Sequence, residues 1–150
     1  MNSTKKFDRA LYEECDTFGK IVTKKFMKYE GYDLVCEKEA YCSHDLIFAK
    51  DSKEYKVEVE INRRWTSKYY PYSTLTVPYR KRFSKADSYI MISKNGEGLL
   101  TIPMIEVLRA ETIVKDTCFT TGERFFSLPI SKVRFYFLQD GHYYPLEQDD

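Results

Sequence analysis

Residues 54–62, EYKVEVEIN, alternate along their whole length. Tyr55, Val57, Val59 and Ile61 take one side of an extended chain, while Lys56, Glu58 and Glu60 take the other. A period of two fixes a half-buried strand with a core on one face. It also sets two carboxylates side by side on the opposite face. Like charges so placed repel, so a positive partner is expected close by. Arg63 and Arg64 follow at once.

The rest of the chain supplies elements around this strand. From about Thr4 to Tyr29, Phe7, Leu11, Cys15, Phe18, Val22, Phe26 and Tyr29 recur at helical steps, and Gly31 stands where a C-terminal cap belongs. Strands are predicted at 32–37, 44–49 and 55–61, the last two joined by the polar turn KDSKE. Pro78 is placed to open a helix in VPYRKRFSKA, though Pro71 and Pro78 break the segment around it. DSYIMIS turns at Asn95-Gly96 and returns as LLTI. Pro103 opens a short helix through Ala110, and Asp140-Gly141 marks a last hairpin. Neither a repeat nor a linker interrupts this order. The 150 residues make one α/β or α+β domain around a central mixed sheet flanked by helices.

Charge matters through its distribution, because the net charge is only +1. Between Asn62 and Ala86 there is no Asp or Glu, but seven cations occur: Arg63, Arg64, Lys68, Arg80, Lys81, Arg82 and Lys85. A run of cations is ordinarily a solvated face. This one is interleaved with Trp65, Tyr69, Tyr70, Tyr72, Tyr79 and Phe83, a mixture that suits a nucleic-acid surface.

Cys15, Cys36, Cys42 and Cys118 lack C-x-x-C spacing, so reduced thiols are expected rather than a zinc site completed by His44. No secretory or membrane-length apolar run is present, which sets the expectation of a cytoplasmic protein without membrane contact. The terminal EQDD reads as a frayed end.

If the KDSKE turn is centred between Asp51 and Ser52, Asp45 falls directly opposite Glu58, with Cβ atoms roughly 5 Å apart. Asp45, Glu58 and Glu60 then form an acidic patch of hard oxygen donors, the kind Mg²⁺ takes. A plainer reading leaves these acids on a solvated strand face, neutralised by Lys56 and neighbouring arginines. The first helix adds a second signal. Glu14 falls within a stripe of Phe7, Leu11, Phe18, Ile21 and Tyr29, and a carboxylate in a packing face needs a partner. Glu14 is therefore expected to turn inward toward the sheet.

A helix with an inward Glu, a hairpin carrying HD at 44–45, VEVE at 57–60, a basic segment and a further strand together resemble the PD-(D/E)XK nuclease superfamily. The likeness spans Phe7 to Ala110, and RRW and VPYRKRF look like stretches in its small phage and bacterial members. The resemblance implies a restriction-endonuclease-like core. It also implies that Asp45 is the motif aspartate, Glu58 the second acid and Glu14 the helix glutamate. His44 replaces the family Pro. Glu60 replaces the family Lys, a role left to Lys56 or Lys81.

The activity implied by the resemblance is metal-dependent hydrolysis of DNA phosphodiesters. Glu14, Asp45 and Glu58 would hold Mg²⁺ or Mn²⁺, and Glu60 would take a proton from water. Arg63, Arg64, Lys68, Arg80 and Arg82 would contact the phosphate backbone. A homodimer cutting both strands is compatible with this reading. Two alternatives compete: a nuclease-fold protein that binds nucleic acid without cutting it, and a small phage protein whose tyrosine-rich surface blocks another protein.

Overall fold

The computed structural model describes residues 9–37, 46–117 and 121–148. The expected mixed α+β architecture is present. Helix α1 (Arg9–Tyr29) precedes three strands, β1 (Asp33–Glu37), β2 (Leu46–Lys50) and β3 (Lys53–Asn62). A crossover then carries β4 (Thr74–Pro78) and a 3-10 turn (Tyr79–Phe83) to β5 (Ser88–Ser93). β6 (Gly98–Pro103), the short helix α2 (Met104–Leu108), β7 (Glu111–Lys115), β8 (Glu123–Pro129), β9 (Arg134–Gln139) and β10 (His142–Leu146) complete the order.

Seven strands form one sheet in the order β1-β2-β3-β5-β6-β9-β10, and three form a second in the order β4-β8-β7. Among the described residues every pairing is antiparallel except β3 with β5, which run parallel. The large sheet is a partition. On one side Val57, Ile90, Ile92 and Leu99 pack with Val22, Phe26 and Met27 of α1. On the other, Tyr89, Met91, Leu100 and Ile102 pack with Leu75, Val77, Phe126 and Leu128 of the small sheet and Met104 and Val107 of α2. α1 covers one face; a β-layer with the five-residue α2 covers the other.

Local chemistry sets the boundaries. α1 ends in a Schellman cap: Gly31 adopts φ 93°, its N–H reaches Lys28 O, and Tyr32 N–H reaches Met27 O. Asp51 and Ser52 both take positive φ, as a two-residue hairpin turn requires, and close Lys50 onto Lys53. This is the turn predicted between them, and the resulting register runs from Lys50↔Lys53 to Leu46↔Val57. Asp140 and Gly141 make the same kind of turn between β9 and β10. Gln148 is not frayed: its side chain accepts from Tyr70 N–H and donates to Tyr70 O. Among the described residues, no helix is long and apolar enough to cross a membrane.

Candidate active site on the third strand

β3 alternates as its sequence demands. Val57 is fully buried under α1, and a Cβ built on Gly19 of that helix would stand 3.1 Å from Val59 and 3.3 Å from Ile61. The even-numbered side chains consequently look away from the helix, toward the crossover. There the acids are met one by one. Glu58 Oε2 accepts from Lys81 Nζ at 3.0 Å, and Glu58 Oε1 accepts from Ser84 Oγ at 3.3 Å. Glu60 accepts the hydroxyl of Tyr89, a fully buried residue of β5.

The crossover delivers these partners in a defined position. Pro78 caps the 3-10 turn, Ser84 N–H closes it on Lys81 O, and β3 grips its far end. Lys56 N–H donates to Asp87 Oδ2 at 2.8 Å while Asp87 N–H donates to Lys56 O at 2.8 Å. The Glu58 side chain retains 14% of its exposure and the Lys81 side chain 25%, so the ion pair is largely desolvated yet open on one side. Negative charge on Glu60 also helps hold the Tyr70 phenol well above its ordinary range, after burial and the neighbouring Tyr72.

The cations predicted at 62–86 occupy two places. Arg63 and Arg64 lie exposed on a turn behind β3, where Asn62 Oδ1 accepts from Arg64 N–H. Buried Trp65 anchors that turn, its carbonyl accepting from Lys94 N–H, and Asn95 Nδ2 donates to Thr66 O. Lys68 sits over the rings of Tyr69 and Phe137. Beside the acids, Arg80 is exposed and the Arg82 guanidinium stacks on Tyr79 and Phe83 at 4.5 and 4.2 Å. Phe83 is 75% exposed. Arg124 of β8, which sequence reasoning missed, covers the same Tyr79 ring at 5.3 Å. Its partner lies 45 residues away in sequence, so no local pattern marks it.

Glu14 is the correction. It is exposed, and its helix lies on the face of the sheet opposite Glu58 and Glu60. The buried face of α1 comprises Phe18, Gly19, Val22, Thr23, Phe26 and Met27, while Ile21 and Tyr29 of the predicted stripe are exposed. At about 100° per residue, Glu14 points about 130° away from the centre of that face. The expected meeting of helix and strand carboxylates therefore does not occur. Asp45, with His44, Cys42 and Cys118, lies outside the described residues. Cys15 is a free thiol, and the Cys36 thiol donates to Glu37 O at 3.2 Å.

For a divalent cation, the donor set can be judged on chemistry. Glu58 and Glu60 supply the hard oxygens that Mg²⁺ takes, and Glu58 already faces a cation in the Lys81 ammonium. Among the described residues, no group of three metal-ligating side chains gathers. Comparison with protein-family models, curated proteins and solved structures found no match to this chain.

Proposed function

We propose that this protein hydrolyses phosphodiester bonds of DNA at the Glu58–Lys81 pair. The observation that carries the reading is the 3.0 Å contact between Lys81 Nζ and Glu58 Oε2. The strand has Glu60 where the resembling nucleases have lysine, and the crossover brings an ammonium to the neighbouring acid instead. The antiparallel run β1-β2-β3 followed by a parallel β5 supports the same reading.

Lys81 would place its charge against a non-bridging phosphate oxygen as negative charge grows there. Tyr89 orients the Glu60 carboxylate, which keeps further lone pairs to accept a proton from the attacking water. Glu58 and Glu60, with Asp45 as the expected third donor, would hold Mg²⁺, which supplies a Lewis acid and an acidified water when bound. Arg80 and Arg82 would grip the backbone, and exposed Phe83 offers a flat face on which a base can stack. Arg63, Arg64 and Lys68 would extend the cationic track.

The test is cleavage of duplex, branched and single-stranded DNA by the purified chain with Mg²⁺ or Mn²⁺. Loss of cleavage in Glu58→Ala and Lys81→Ala, with DNA binding retained, is expected. Absence of cleavage on every substrate overturns the hydrolase reading. A second reading, nucleic-acid binding without turnover, is favoured by the engagement of the strand carboxylates by Lys81, Ser84 and Tyr89. It predicts salt-sensitive binding that divalent metal does not strengthen, and no cleavage with any metal.

A further inference from the structure

We infer that two copies of this chain pair through the outer edge of β7, joining their small sheets into one six-stranded sheet. The inference does not depend on the phosphodiester reading. β7 ends the order β4-β8-β7, and all five of its residues are exposed, including Ile113 and Val114. An exposed edge with apolar side chains and no proline is a template for another strand.

The sequence of the edge specifies which strand. β7 reads ETIVK. An antiparallel copy related by a two-fold axis through Ile113 sets Ile113 against itself, Thr112 against Val114, and Glu111 against Lys115 at both ends. Opposite charges thus meet twice, which is the self-complementarity an isologous interface requires.

The other three edges do not offer this. β1 reads DLVCE, so the same operation would oppose Asp33 to Glu37, two acids. β10 carries Pro145 within the strand and β4 ends in Pro78, and proline gives no N–H to a ladder. Leu75 and Val77 of β4 are, moreover, buried in the core. Among the described strands, β7 alone combines an open ladder, apolar side chains and complementary ends.

Sedimentation of the full-length chain over a concentration series tests this. The native chain is expected to dimerise with concentration. Glu111→Lys, which faces Ser127 within its own chain and is therefore tolerated by the monomer, should weaken the dimer about tenfold by opposing Lys to Lys115 twice. Lys115→Glu, which also comes to face Glu123 within its own chain, should weaken it similarly by opposing Glu to Glu111, with a thermal melt checking that this variant is folded. An equimolar mixture of the two variants restores Lys–Glu pairs at both ends and should dimerise like the native chain. A native chain that stays monomeric, a Glu111→Lys variant as dimeric as the native protein, or a mixture that stays monomeric would each overturn the inference.

Discussion

Lys81 Nζ lies 3.0 Å from Glu58 Oε2, so a lysine of the crossover neutralises a carboxylate of β3 across 23 residues of sequence. The pair is mostly out of water, and removing one member takes from the other its opposite charge. Lys81→Met is expected to destabilise the protein by about 1–3 kcal/mol, read by urea unfolding. Glu58→Gln combined with Lys81→Met should recover part of that loss, because neither charge is then left alone. If cleavage is observed, Lys81→Met should lower its rate about a hundredfold.

Glu14 gives the opposite expectation. Its carboxylate is exposed on the far side of the sheet, so Glu14→Ala should shift stability by less than about 0.5 kcal/mol and leave cleavage and DNA binding unchanged. The nearby Gly19→Leu should instead unfold more readily by about 1–3 kcal/mol, since Val59 and Ile61 already crowd that position. Thermal melts of both variants check this.

Gly98 meets the single tryptophan. A Cβ there would stand 2.5 Å from Trp65 Cζ2 and 3.0 Å from the carbonyl of Lys68, and both Gly98 and Trp65 are buried. Gly98→Ala is expected to cost about 1–3 kcal/mol, and the displaced indole should fluoresce at longer wavelength in the folded state.

Burial pushes the Tyr143 phenol up to about 12, and its hydroxyl donates to Gly96 O. Tyr70 is raised as well, first by burial. The unfolded chain releases these protons near pH 10, whereas the folded chain retains them. Stability should therefore be complete below about pH 10 and fall as pH rises toward 12. Urea unfolding at pH 9 and pH 11 measures the fall, and Tyr143→Phe should flatten it.

Local signals predicted much of this architecture because local chemistry causes it. Positive-φ turns at Asp51-Ser52 and Asp140-Gly141 set two registers, Gly31 closes α1, and Pro103 starts α2. What escaped is non-local. β4 pairs with β8, so Thr74 meets Pro129 across a third of the chain, and nothing around either residue announces the other. The small sheet, the Arg124 stack on Tyr79 and the Gln148 clamp on Tyr70 were missed for the same reason. Glu14 failed differently. Ile21 and Tyr29 are apolar yet exposed, which swung the apparent packing direction of the helix toward the acid. Lys81 and Lys56 were equal candidates for a positive partner of these acids, and the contact of Lys81 with Glu58 is made by the folded crossover, which no local pattern announces.

A seven-stranded wall stands between α1 and the acids of β3. Ile21 and Lys25, on the outward side of that helix, are consequently remote from anything that docks at Glu58. A fluorophore or surface tether fixed at either position would report on or immobilise the molecule while leaving the Glu58–Lys81 pair free to the solution.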